Sequence, residues 1–314
     1  MTAYIARRLL TAVPTLALIS MVVFGILALA PGDPLGQFAA NPDIPPEVRL
    51  NIRHQLGLDQ PIPVRYVRWA GAFLRGDWGY SFASRMPVSA LVLQRLPTDL
   101  WVVGSAYLAA VAVAIPIGVL SAVKQYSLFD QVATTCAFIG FSLPTFFTGV
   151  LLIVLFSVRL HWLPFIYNVQ VRDPVGMLKQ AIMPVSVLAL FQAAALMRFV
   201  RSSVLDHVGQ DYVRTARAKG VPEGRVVRRH VLRNGLIPVV TLLALGLPAV
   251  FTGAVITEQI FRVPGIGSLL IASIQNSDTP VVMAITFVYS ILVVLFNLVA
   301  DVLYGLLDPR IRYG

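Results

Sequence analysis

The sequence predicts an all-α membrane protein with six transmembrane helices, and three observations lead to this fold class. Hydrophobic residues fill 57% of the 314 positions and charged residues only 13%, with a mean hydropathy of +0.77, which excludes an ordinary soluble globule. Six apolar runs are each long enough to cross a bilayer. The net charge of +10 is concentrated largely in one loop, so anionic lipid or an acidic protein surface is a better partner than nucleic acid.

The first predicted span covers residues 9–30 and defines an N-terminal domain, residues 1–30. Arg7 and Arg8 precede it and favour a cytoplasmic N-terminus. A cleaved signal peptide is the alternative, because Ala28-Leu29-Ala30 resembles a cleavage site and the arginine pair resembles a twin-arginine signal. The run is longer than a usual signal core, which favours a retained helix.

Residues 31–97 are predicted to form an external loop subdomain between the first two spans. This region holds seven arginines and many prolines, and it contains no apolar run of spanning length. Its Gly and Pro residues are typical of turns. Nothing in it groups a nucleophile, a base and oxyanion donors, so no catalytic site is predicted there.

The remaining five spans are predicted at residues 100–123, 132–158, 181–200, 236–257 and 281–303, within a core domain of residues 98–307. Pro116 is expected to break the second span and Pro144 to kink the third. Arg310 and Arg312, in the tail 308–314, favour a cytoplasmic C-terminus. Six spans then place both termini, and the basic loop between spans four and five, on the cytoplasmic side.

That basic loop is the most informative stretch of the chain. Residues 198–234 contain nine basic and three acidic side chains between two apolar runs, so this segment cannot lie in hydrocarbon. Residues 211–219 have good helix formers and an acidic first turn. Gly220 then supplies a helix stop, and Pro222 suits the first turn of a second helix.

The first of these two short helices has an apolar side. Tyr212, Val213 and Ala216 fall on one face, which predicts a small docking surface surrounded by charge. On the residues alone, the alternative is an ordinary loop whose charges only set the topology.

Several chemistries lack a sequence signature. There is no Gly-x-x-x-x-Gly-Lys-Ser/Thr stretch for a phosphate loop and no Gly-x-Ser-x-Gly for a serine hydrolase. The four histidines are scattered without an i, i+4 pair, and Cys136 is the single cysteine, so neither a metal site nor an internal disulfide is predicted. We expect no catalytic residue, no metal and no cofactor bound by this chain.

The predicted spans are poor in ionisable residues. Gln192, Asn297 and a few Ser and Thr are the mid-span polar candidates. A proton-coupled or ion-coupled carrier normally keeps charged groups near the midplane. Energy for uphill transport would therefore come from outside the chain.

Four stretches carry a resemblance to a known family. The string Tyr212-Val213-Arg214-Thr215-Ala216-Arg217-Ala218-Lys219-Gly220, followed by the run from His230 to Pro238, resembles the cytoplasmic coupling loop of bacterial binding-protein-dependent ABC transporter permeases of the dipeptide, oligopeptide and nickel branch. Pro31-Gly32-Asp33-Pro34 and the tail from Asp308 to Arg312 are also similar to that branch. The resemblance implies the type I ABC importer permease fold.

In this family the coupling loop, here residues 201–235, forms a short helix that sits in a groove of an ATPase subunit. By resemblance, Ala216 and Gly220 occupy the second alanine and the glycine of a Glu-Ala-Ala-x-x-x-Gly pattern, and Arg214 and Thr215 replace its first two residues. The predicted ATPase-docking residues are Tyr212, Arg214, Thr215, Ala216, Arg217, Ala218, Lys219 and Gly220.

The resemblance also implies partners and a function. The partners are a second related permease subunit, two ATP-binding subunits that carry ATP and Mg, an external substrate-binding protein and membrane lipid. The implied function is a permease subunit of an ATP-driven importer of di- or oligopeptides in the bacterial inner membrane. A secondary carrier or channel that is independent of an ATPase is the alternative. The sequence assigns no residue to the substrate path and does not separate peptides from glutathione or nickel chelates.

Overall fold

The computed structural model describes residues 2–29, 46–55 and 57–307, and this part of the chain is all-α, as predicted. Pro31-Gly32-Asp33-Pro34 and the tail motif from Asp308 to Arg312 lie outside the described residues. One isolated bridge, between Tyr80 and Pro87, is the β contact found in the described ranges. The α-helices are α1 (Thr2–Leu29), α2 (Pro46–Gln55), α3 (Ile62–Leu74), α4 (Val88–Val123), α5 (Leu128–Ser142), α6 (Thr145–Leu152), α7 (Pro174–Val208), α8 (Asp211–Ala218), α9 (Glu223–Val226), α10 (Leu232–Gly235), α11 (Ile237–Phe261), α12 (Ile266–Gln275) and α13 (Thr279–Leu307), and π-helical segments cover Ile153–Arg159 and Val227–Val231.

Among the described residues, four helices are long and apolar enough to cross a bilayer, and the number rises to as many as six if each of two bent helix pairs is one span. The four candidate spans lie in α1, α4, α7 and α13. The bent pairs are Leu128–Ser142 with Thr145–Arg159, and Ala254–Phe261 with Ile266–Gln275. Five of the six predicted spans lie on these segments, whereas the fifth, residues 236–257, shares only residues 254–257 with the bent pair that begins at Ala254.

Two prolines behave differently from the prediction. Helix α4 continues through Pro116, so the predicted break is wrong; membrane helices tolerate proline where neighbouring groups satisfy the freed backbone. At Pro144 the chain leaves the helix altogether. Leu143 is extended, with φ −80° and ψ 127°, because a following proline disfavours the α region. The helices on either side are bent by 102°, far more than a kink.

Two buried acidic residues correct the expectation of spans nearly free of charge. Helix α4 begins at Val88, earlier than the predicted start near residue 100, and its 36 residues therefore include Asp99. Asp99 is only 1% exposed, and Glu258, near the end of α11, is 2% exposed. The sequence reading started the second span at the long apolar run and so left Asp99 outside. A lack of internal charge therefore no longer argues against an ion-coupled carrier.

The contacts divide the chain into two units, which are described separately. The first contains residues 98–264 and 295–307. Within it, α7 is the central helix and packs against α5, α6, α10 and α11. A Cβ atom on Gly118 of α4 would lie 2.8 Å from both the Met197 carbonyl oxygen and the Val200 side chain of α7. Glycine is therefore needed for the close approach of α4 to α7.

The second unit contains the described parts of residues 2–97 together with residues 265–294. A cluster of aromatic rings joins α1, α3, the turn after α3 and α13 through Phe24, Tyr66, Trp69, Phe73, Trp78 and Phe287. Buried Asp278 organises the turn before α4, because its carboxylate accepts hydrogen bonds from the Ser81 hydroxyl and from the Phe82 and Ala83 N–H groups.

Candidate functional site

The basic loop of the first unit folds as two short helices with a break between them, as predicted. Helix α8 ends with a pair of hydrogen bonds in which the Gly220 and Val221 N–H groups donate to the carbonyls of Arg217 and Ala216, at 2.9 and 3.3 Å. This is a Schellman C-cap, which needs a left-handed residue after the helix. Gly220 supplies it with φ +75°. Pro222 then takes the N-cap position of α9.

The apolar face of α8 is used inside the chain, which corrects the predicted docking surface. Val213 is 0% exposed and Ala216 is 6% exposed. Both belong to the core cluster that also contains Val226 and Val231, which lie in the second half of the loop. The second half of the loop folds back beneath α8 and covers this face, and Tyr212 alone of the three predicted residues stays 38% exposed.

The predicted docking residues therefore separate into two groups. Ala216 points into the core, whereas the others are exposed on the surface of the loop: Tyr212, Arg214, Thr215, Arg217, Ala218, Lys219 and Gly220. This surface is polar and cationic rather than apolar. The exposed residues lie along the eight-residue helix α8 and at the two positions that follow it.

A bidentate ion pair holds α8 against α9 across the Gly220 turn. The Arg217 guanidinium donates from Nε and Nη2 to the Glu223 carboxylate at 3.1 and 2.7 Å. These hydrogen bonds raise the pKa of Arg217 and lower the pKa of Glu223. Both groups remain charged at neutral pH, and the pair is geometrically specific because both forks are used.

A second ion pair lies at the start of the loop, and it was not predicted from the sequence. Arg201 of α7 donates from Nε and Nη2 to the Asp130 carboxylate of α5 at 2.6 and 2.8 Å. The Tyr126 N–H and the Thr134 hydroxyl also donate to this carboxylate, at 2.9 and 3.3 Å. The Asp130 side chain is 4% exposed and that of Arg201 is 24% exposed. This pair ties the start of α5 to the last two turns of α7.

Arg198 makes a further link between the same two helices. Its guanidinium carbon lies 5.1 and 4.6 Å from the ring centroids of Phe138 and Phe141 in α5, within the range of cation–π attraction. Arg198 and Arg201 are one helical turn apart, so the two contacts fix α5 to α7 over one stretch of the interface.

The far end of the loop is also fastened to α7. The buried Ser203 hydroxyl donates to the Gly235 carbonyl at 2.7 Å. A Cβ atom on Gly235 would lie 3.3 Å from the Val204 Cα, so α10 packs closely on α7. The loop that contains α8 is thus attached to α7 at both ends. A displacement of α8 would therefore move α7 and, through the Asp130–Arg201 ion pair, α5.

Metal-ligating side chains do not converge in the part of the chain that the structure describes. No group of three or more His, Cys, Asp or Glu residues there could hold a metal ion. His54 instead contacts Asp59 at 2.7 Å in the second unit, and His207 contacts the Ser203 carbonyl at 2.8 Å in α7.

Comparisons with known proteins match the whole length of the chain. Residues 114–313 match the family described as binding-protein-dependent transport system inner membrane component, and residues 1–103 match the N-terminal region of such membrane components. The oligopeptide transport system permease protein AppB of Bacillus subtilis is 41% identical, with 100% of both chains covered. The glutathione transport system permease protein GsiC of Salmonella paratyphi A is 39% identical over 99% of both chains.

Further relatives and solved structures agree with these matches. A putative peptide transport system permease protein of Brucella abortus is 38% identical over 100% of both chains. Among solved structures, the MetNI methionine ABC transporter matches with a TM-score of 0.58 at 16% identity, covering 71% of this chain and 98% of the other. An amino acid ABC transporter matches with a TM-score of 0.54 at 15% identity, covering 72% and 98%. These structural matches show the fold.

Proposed function

The chain belongs to the family of inner membrane components of binding-protein-dependent transport systems, and from this premise we propose that it is a permease subunit of an ATP-driven importer of peptides. It has the fold of ABC importer permeases and forms part of the translocation path, while a separate subunit hydrolyses ATP. Relatives named for oligopeptide, glutathione and peptide transport support a short peptide as the substrate. The proposed setting is the bacterial inner membrane, with both termini cytoplasmic.

The proposed assembly contains a second related permease subunit, two ATP-binding subunits that carry ATP and Mg, and an external substrate-binding protein. The family description itself names a binding protein, which supports the external partner. Membrane lipid surrounds the apolar helices, and we propose no nucleic-acid partner.

The observation that carries the proposed coupling role is the placement of α8. It is a polar, cationic helix between two long apolar helices, α7 and α11. The loop continues directly from α7 at one end, and its other end is fastened to α7 by the Ser203–Gly235 hydrogen bond and by the close packing of Gly235 on Val204. Its exposed side fits an acidic groove on an ATPase subunit. ATP-driven movement of that subunit would then shift α8, α7 and α5 together.

The test of the proposed function is ATP-dependent peptide accumulation. The chain, its permease partner and the ATPase subunits are reconstituted in proteoliposomes with the binding protein, and uptake of a labelled oligopeptide is followed. Uptake is expected only with ATP and the ATPase subunits present. Accumulation by the permease subunits alone would contradict the proposal and favour a secondary carrier.

A further inference from the structure

Four arginines that follow α8 line one cleft on the loop. Arg225, Arg228, Arg229 and Arg233 surround a cavity of about 330 Å³, and all four side chains are exposed. None of them belongs to the stretch 212–220 that carries the predicted docking residues. The cleft therefore concentrates four positive charges outside that stretch.

These arginines differ from Arg201, Arg214 and Arg217 of the same loop, each of which lies against an acidic side chain. Arg201 pairs with Asp130, Arg214 lies 3.7 Å from Asp211, and Arg217 pairs with Glu223. Within the described residues, none of the four cleft arginines forms an ion pair, and the sequence has no Asp or Glu between Glu223 and Glu258. Four like charges at this spacing repel one another, so an anion that enters the cleft relieves an existing repulsion.

The π-helical segment Val227–Val231 contains two of the four cleft arginines, Arg228 and Arg229. Val226 and Val231 are both 0% exposed, although residues five apart in a regular α-helix lie roughly 140° apart around the axis. The wider turn of the π-helix reduces this angle and keeps both valines on the buried side. Arg228 and Arg229 lie on the exposed side of the same turn.

The cleft lies beside an apolar helix that is predicted to enter the membrane, and this position indicates which kind of anion it would meet. Arg233 is followed, after Asn234, Gly235 and Leu236, by the apolar helix α11. Clusters of basic residues immediately beside a membrane helix attract anionic lipid headgroups, and the planar guanidinium forms two parallel hydrogen bonds to a phosphate. We propose that the arginine cleft binds the phosphate of an anionic phospholipid headgroup. The inference requires only that the chain is embedded in a membrane, and it is independent of ATPase docking.

The experiment uses the full transporter complex purified in a zwitterionic detergent. Calorimetric titrations compare dioctanoyl phosphatidylglycerol, dioctanoyl phosphatidylcholine and inorganic phosphate. The variants are the four single Arg→Gln changes and R225Q/R228Q/R229Q/R233Q. The control K124Q/R159Q/R172Q/K179Q removes the same number of exposed charges elsewhere in the first unit.

Phosphatidylglycerol is expected to bind the wild type and the control with the same affinity. Its affinity for the cleft variants is expected to fall about fivefold for each arginine removed. Phosphatidylcholine is expected not to bind measurably. Thermal unfolding confirms that each variant is folded, and the single changes keep the test decisive if the fourfold variant is unstable. Equal binding by wild type and folded cleft variants would overturn the proposal, as would binding of inorganic phosphate with the affinity of the lipid. Loss of ATPase subunits from the fourfold variant, with lipid binding unchanged, would assign the cleft to the ATPase instead.

Discussion

The ion pair between Asp130 and Arg201 is expected to contribute strongly to the packing of α5 on α7. Two charge-assisted hydrogen bonds of 2.6 and 2.8 Å join the side chains, and the Asp130 side chain is 4% exposed. Removing one partner of a buried pair costs about 3–5 kcal/mol, because the other charge is left uncompensated. Arg201 is 24% exposed, so water partly solvates it, and we expect about 2–3 kcal/mol for D130N.

A double-mutant cycle measures this interaction directly. D130N, R201Q and the double variant are unfolded with a denaturing detergent in mixed micelles, and the intrinsic fluorescence of the four tryptophans reports unfolding. A coupling free energy of about 2 kcal/mol is expected. The matched control is the pair Asp211 and Arg214, which is 98% and 73% exposed with a 3.7 Å separation, and for which we expect no measurable coupling.

The result that would refute this reasoning is a coupling free energy near zero for Asp130 and Arg201. It would mean that the two side chains do not stabilise each other in the folded protein. The clamp between α5 and α7 would then depend on Arg198 and the apolar contacts alone.

Two further predictions concern close packing and pH. G118A should destabilise the protein by about 1–3 kcal/mol, since its Cβ would lie 2.8 Å from Val200, whereas G104A in the same helix, where nothing lies within 4 Å, should not; equal unfolding midpoints for the two variants would contradict the close approach. Wild type should be slightly more stable than E223Q at neutral pH, because Arg217 lowers the pKa of Glu223 below 4.5. This advantage is present above the ordinary carboxyl pKa and should disappear as the pH falls through the lowered pKa of Glu223; an unchanged difference between pH 7 and pH 3 would argue against the pair.

Short sequence signals correctly predicted where the helices of the loop begin and end. The break between α8 and α9 follows from Gly220 and Pro222, because a left-handed C-cap and a proline N-cap are properties of the residues themselves. The long apolar runs likewise predicted five of the six candidate spans, because length and composition decide whether a helix can cross a bilayer. The resemblance to ABC transporter permeases implied a short helix in the loop and a membrane-spanning fold as well.

Features that depend on distant parts of the chain were missed. Asp130 and Arg201 are 71 positions apart, and no local pattern in the sequence joins them. The burial of Val213 and Ala216 depends on the second half of the loop, which contains Val226 and Val231. The π-helical turn in that half has no simple sequence signal. Tertiary packing decided each of these, and a periodicity argument on one helix does not contain that information.

The measurement that tests the coupling role of α8 most directly is the number of peptides transported per ATP hydrolysed. Ala218 is exposed on α8, so A218W enlarges the proposed docking surface without disturbing the core that holds Ala216. In the reconstituted complex, A218W should keep its fold but lose most peptide uptake per ATP, while A272W, at an exposed alanine of α12, should transport normally. Wild-type transport per ATP in a folded A218W complex would contradict the account.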